Sequence, residues 1–222
     1  MSLTYFLFLL TLIFQITNAH EQSRICSIMI DPAGDAQNTG RKLHDSFERG
    51  ITLQCAEHLK QLLESTNKQI RVVLTRWPGE TLEPLQNANF ANRLDIQLYL
   101  SIHFYQEKER VPKLYLYQLS YSNDTFFPTK KIGLTFTPYD QAHLESSTTT
   151  QTWALKIKEH LELPEYEKLF EVKGIFKIPF KPLVGIKAPA FAIEVGLKNK
   201  DDWKLYSQAF AQSLGPIIEL LL

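Results

Sequence analysis

Short apolar runs alternate along this chain with stretches of helical periodicity, and that alternation constrains the fold more than any other feature. Arg24 to Ile30 is an apolar run that ends in the turn-forming Asp31-Pro32-Ala33-Gly34-Asp35. Phe47, Ile51, Cys55, Leu59 and Leu62 then recur at helical spacing and predict a helix over about Gly50 to Ser65. Ile70 to Thr75 is a second β-branched run. A helical stripe of Leu85, Ala88, Ala91 and Leu94 leads into the strand-like Ile96 to Ile102, which ends at His103. Lys113 to Leu119 alternates, with Leu114 and Leu116 on one face and Tyr115 and Tyr117 on the other. A further strand spans Ala190 to Val195, and a terminal helix turns Trp203, Tyr206, Phe210, Leu214 and Ile217 inward, with Pro216 expected to kink or shorten it. The pattern predicts one α/β domain, a mostly parallel twisted sheet of about six strands with helices on both faces.

Periodicity fails from Ser120 to Thr150, where Ser146 to Thr150 reads as a surface loop within an irregular insertion. A helical stripe of Trp153, Ile157 and Leu161 follows. At the other end, residues 1–19 read as a secretory signal: an apolar run too short for a comfortable membrane span, then the small-residue stretch Thr17-Asn18-Ala19. The alternative is an uncleaved anchor, since no Lys or Arg precedes the run. Either way residues 20–222 form the working domain outside the cytoplasm.

The 24 basic and 24 acidic residues balance, so no global field draws the chain to nucleic acid or to an anionic membrane surface. The domain is expected to be a monomer, with no stable membrane association once the signal is removed. Cys26 and Cys55 are the only cysteines. An oxidising compartment permits a bridge between them, but both lie in apolar patterns where a packed thiol is the favoured reading.

Chemistry-bearing residues sit at the ends of these runs. Glu48 precedes a helix, His103 closes a strand, and Glu194 interrupts the apolar Phe191 to Val195. Carboxylates and imidazoles in such places need a partner, and a metal ion is the commonest one for this mixture.

Those residues, with Ile-Met-Ile-Asp-Pro at 28–32, Val-Val-Leu-Thr-Arg at 72–76, Ser-Ile-His at 101–103 and Glu-Val-Gly-Leu at 194–197, make the chain resemble the zinc-dependent N-acetylmuramoyl-L-alanine amidases of the amidase type 3 group. The resemblance implies a Zn2+ cofactor held by Glu48 and His103, with Glu194 as the catalytic base. It implies a peptidoglycan or muropeptide substrate, cleaved at the amide between N-acetylmuramic acid and L-alanine, and a periplasmic or extracellular location at the cell wall. The chain departs from the family at the first zinc-ligand His, whose place is taken by Gly34. Asp35 is the preferred substitute ligand and His44 the second choice. The alternative reading is a catalytically inactive relative that binds wall fragments or a partner enzyme.

Overall fold

A computed structural model describes residues 25–83, 85–121, 129–131 and 134–222. The segment read as a secretory signal, and part of the insertion expected between Ser120 and Thr150, lie outside the described residues.

Apolar runs became strands and amphipathic stretches became helices in nearly the predicted order. Strand β1 (Cys26–Pro32) is followed by a small hairpin, β2 (Lys42–Leu43) and β3 (Ser46–Phe47), and by helix α1 (Glu48–Thr66). Then come β4 (Ile70–Leu74), α2 (Gln86–Leu94), β5 (Leu98–Gln106) and β6 (Lys113–Leu119). A second small hairpin, β7 (Thr129–Lys131) with β8 (Leu134–Phe136), precedes a 3-10 segment over Tyr139–Ser146. Helix α3 (Ser147–Leu161), β9 (Glu171–Ile178), β10 (Ala190–Leu197) and α4 (Trp203–Leu221) complete the domain.

The six-stranded sheet has the order β4-β1-β5-β10-β6-β9. Neighbours β4/β1, β1/β5 and β5/β10 are parallel, β10/β6 is antiparallel, and β6/β9 is parallel again, so the last two strands run against the others. Alternate side chains go to opposite faces. Ile28, Ile30, Leu98, Leu100, Leu114, Leu116, Phe191 and Ile193 pack in one core cluster with Leu59 of α1, Ile157 of α3 and Phe210 of α4. Met29, Tyr99 and Ala192 pack on the other face with Ala88 and Ala91 of α2. Central strands buried on both faces explain why their sequences read as continuous apolar runs.

Three local expectations change. Ser147 to Thr150 opens α3 instead of forming a loop, because Thr150 and Trp153 bury against the core. Helix α4 continues through Pro216 to Leu221. Strand β9, with Lys173 and Lys177 on a half-exposed edge, has no counterpart in the sequence reading. Both cysteines are free thiols, buried in the same core cluster.

One register feature positions the site. β1 ends with Pro32 opposite Ile102, while β5 and β10 run on side by side, with Glu194 level with His103. Where β1 has stopped, the chain leaving it packs over this extension, with Arg41 bonded to the Phe104 carbonyl, and returns as the start of α1.

Candidate functional site

Glu48 opens α1 with a carboxylate that is satisfied on both sides. Its Oε1 accepts from the Phe104 backbone N–H at 3.0 Å, and its Oε2 accepts from the Arg41 N–H at 3.0 Å. The Glu48 N–H donates in turn to the Arg41 carbonyl at 2.8 Å. This reciprocal pairing needs Gly40, which has φ +70° and would place a Cβ 2.8 Å from the Glu48 Cβ. Burial alone would raise the Glu48 pKa, but His103 and the two backbone donors outweigh it and hold the carboxyl below its ordinary value.

His103 lies within β5, three residues before the strand's end, and not at its terminus as the sequence reading had it. Its Nδ1 stands 3.6 Å from Glu48 Oε1. Its Nε2 is 2.9 Å from Ser101 Oγ, and that hydroxyl donates to Asp31 Oδ2 at 2.9 Å. Because the Ser101 proton goes to Asp31, Nε2 of His103 must be the donor in its own bond, which leaves Nδ1 facing Glu48. Asp31 is itself buried and also accepts from Thr75 Oγ1 at 2.7 Å and from Asn87 Nδ2 at 2.9 Å. Phe180 closes the other side of the imidazole edge-on, with ring centroids 5.1 Å apart.

Glu194 is flanked by two donors. Arg41 Nη1 lies 2.6 Å from its Oε1, and the Tyr117 hydroxyl donates to its Oε2 at 2.8 Å. Burial and the adjacent Glu194 both push the Tyr117 pKa well above its ordinary value, so the phenol stays a donor. The same Arg41 Nη1 donates to the Phe104 carbonyl at 3.0 Å and stands 3.9 Å from Glu48 Oε1. Sequence reasoning missed Arg41. Its signal was only an arginine placed after a glycine in a polar loop.

The structure thus brings Glu48, His103 and Glu194 together and leaves Asp35 apart. Asp35 Oδ1 accepts from the backbone of Gln37 at 2.8 Å and Asn38 at 2.6 Å, and Oδ2 accepts from Leu82 N–H at 3.3 Å. This carboxylate closes its own loop and ties it to the segment before α2. His44 sits at the tip of the β2–β3 hairpin with φ +54° and a buried Nε2 that has no hydrogen-bond partner. Gly34, also at positive φ, is packed so closely that a Cβ would meet Arg49 Cβ at 2.9 Å and the Asn38 carbonyl at 3.0 Å.

A catalytic zinc takes three protein ligands and keeps one position open. Among the described residues no group of three His, Cys, Asp or Glu side chains stands close enough to hold a metal ion. Glu48 and His103 supply two donors, position 34 carries no side chain and a Cβ there would collide with Arg49, and a guanidinium fills the space beside Glu194. The residues present do not fit a three-ligand zinc centre.

The family model for N-acetylmuramoyl-L-alanine amidase matches residues 28–215, nearly the whole described domain. The chain belongs to the N-acetylmuramoyl-L-alanine amidase family. One curated relative, the amidase CwlM of Bacillus licheniformis, is 33% identical over 76 residues, which cover 34% of this chain and 30% of the relative. The chain therefore spans under a third of the length of that relative. An amidase structure from Clostridium difficile 630 superposes with a TM-score of 0.60 at 19% identity, covering 89% of this chain and 98% of that one. The CwlD amidase of Clostridioides difficile, solved in complex with the GerS lipoprotein, gives 0.62 at 14% identity, covering 88% and 99%. At these identities the likeness concerns the amidase fold, in which this chain's rim of β5 and β10 carries the grouped acids and imidazole.

Proposed function

We propose that this chain is an exported amidase-family protein that binds the muramoyl–peptide portion of peptidoglycan and holds it without cleaving it. Family membership supports the ligand class, and the apolar segment ahead of the domain supports export. Among the described residues no helix is long and apolar enough to cross a membrane.

The observation that carries the non-hydrolytic reading is Gly34. Its positive φ and its contact with Arg49 leave no room for a ligand side chain, and the nearest carboxylate, Asp35, is committed to backbone donors. Without a secured metal, water is not activated at neutral pH and the scissile carbonyl is not polarised. What remains is a recognition surface. Glu194 can accept from an amide N–H or a sugar hydroxyl, and beside it Tyr115, Tyr117 and Phe176 line the sheet face with ring centroids about 6 Å apart.

A hydrolytic reading draws on the amidase-family match and on one geometric observation: Glu48 Oε1 and His103 Nδ1 remain 3.6 Å apart with Glu194 level with His103. One experiment separates the two. Purified protein is sedimented with insoluble peptidoglycan, and the supernatant is assayed for stem peptides with and without added zinc. Retention on the wall with no release in either condition is expected. Zinc-dependent release that disappears in Glu194→Ala would overturn the proposal in favour of hydrolysis, and failure to sediment would refute wall binding.

A further inference from the structure

Two carboxylates and an imidazole in a largely water-free corner require a positive charge among them. The side chains of Glu48 and Glu194 are only 5% and 12% exposed. We propose that the Arg41 guanidinium is the resident cation of this corner, filling a latent divalent-metal site formed by Glu48, His103 and Glu194 and excluding metal from it. The inference rests on the reading above that the chain does not work through a bound metal. It is tested by metal content and stability, so it can fail while wall binding stands.

Geometry locates the cation. A single nitrogen, Arg41 Nη1, contacts Glu194 Oε1 at 2.6 Å and the Phe104 carbonyl at 3.0 Å, and it lies 3.9 Å from Glu48 Oε1. His103 Nδ1 is 3.6 Å from that same Glu48 oxygen. Two ligands on one tetrahedral ion, each bound at about 2.0–2.2 Å, lie about 3.4 Å apart. The imidazole and the carboxylate are therefore spaced as one ion would space them, and Ser101 already holds Nε2 so that Nδ1 is the nitrogen turned inward. Glu194 stands on the far side of the guanidinium with its Oε1 taken by it, so the three side chains do not close around an ion while Arg41 is in place.

The Arg41 side chain is 50% exposed, but its backbone and its inner nitrogen are both tied into the site. Gly40 lays the backbone against Glu48, and the Arg41 N–H and carbonyl both pair with that residue, so the side chain needs only to reach across the carboxylate to Phe104. A guanidinium is charged at every accessible pH. The positive charge beside the two acids then never depends on metal supply, and the loop over 33–47 is tied to β5 by the Arg41 hydrogen bond to the Phe104 carbonyl in place of an ion.

The test uses the full chain and Arg41→Ala, both dialysed against chelator and then titrated with zinc alone, with bound metal and melting temperature as readouts. The parent chain should retain no zinc through dialysis, and neither zinc nor chelator should move its melting point. Arg41→Ala should melt lower without metal, bind one equivalent of zinc on the order of 100-fold more tightly than the parent, and recover its melting point as it does so. Arg41→Ala with Glu194→Gln should regain part of the stability without zinc and lose the zinc uptake. If Arg41→Ala alone does not fold, refolding with zinc replaces the titration: recovery only with zinc supports the site, and no recovery overturns it. A stoichiometric zinc in the parent chain, or an Arg41→Ala variant that takes up none, would also overturn it.

Discussion

Gly34 and Arg49 are in such close contact that a Cβ added at position 34 would lie 2.9 Å from the arginine's own Cβ. The backbone there has φ +79°, a left-handed conformation that costs an ordinary residue about 1–2 kcal/mol. Gly34→His, at the position where the family resemblance implies a zinc ligand, is therefore expected to damage the loop instead of building a zinc site. Strain and overpacking together should lower stability by about 2–4 kcal/mol. Urea denaturation would show this as a lower midpoint. A variant as stable as the parent that gains a tight zinc would show that the loop is more pliable than its packing indicates.

The loop's stiffness comes largely from Arg76, which is 3% exposed and donates to the carbonyls of Pro32, Ala33 and Arg49 at 2.8–3.2 Å. Arg76→Met keeps much of the apolar stem but strips donors from buried carbonyls, and each unsatisfied group costs about 1–3 kcal/mol. A loss of about 3 kcal/mol or more is expected, with the denaturant slope unchanged because the unfolded state is the same size. A midpoint within error of the parent would remove Arg76 as the brace.

Much of this fold was legible because burial leaves a periodic trace. β1, β5 and β10 are buried apolar strands, β4 and β6 alternate buried with more open positions, and the Ile51, Cys55, Leu59 stripe marks α1. β9 was hidden because an edge strand with Lys173 and Lys177 facing solvent carries no apolar run. The Ser146 to Thr150 stretch was misread because its intrinsic helix preference is weak and tertiary packing decides it. At the site, Glu48, His103 and Glu194 stood out as costly residues at the edges of apolar runs. Arg41 did not, since an arginine in a polar loop is ordinary until the fold brings Phe104 and Glu194 beneath it. Asp35 drew attention by being near Gly34 in sequence, yet its role follows from backbone N–H groups, which sequence does not display.

Asp35 gives the loop a pH dependence of definite sign. Burial by itself raises the pKa of this carboxyl, but the donors from Asn38, Leu82 and Gln37 outweigh it and hold the group below its ordinary 3.8. A folded-state pKa below the unfolded one means the carboxylate's contribution is present in full above about pH 4 and is lost as pH falls through the folded value. Asp35→Asn, whose amide nitrogen would face N–H donors, should be less stable by about 2 kcal/mol at pH 7. The gap between variant and parent should narrow steadily below about pH 4. Thermal melts from pH 7 to pH 2 would test this. A gap that is constant across that range would mean the carboxylate's charge plays no part.

Ser101 is fully buried and its hydroxyl joins Asp31 to His103, so one oxygen orients the imidazole that faces Glu48. Ser101→Ala removes no apolar contact of note, yet it leaves Nε2 of His103 without its acceptor and Asp31 Oδ2 without that donor. The expected loss is about 1–3 kcal/mol. A second effect is more specific. With Nε2 released, the ring loses the partner that fixes its orientation, and the two nitrogen shifts of His103 in a nitrogen-15 NMR spectrum should move away from those of the parent chain. Ser101→Thr, which keeps the hydroxyl, should restore the original shifts even if its extra methyl lowers stability. Unchanged His103 shifts in Ser101→Ala would show that Glu48 and Phe180 alone set the ring, and that the buried Asp31–Ser101 pair serves the sheet and not the site.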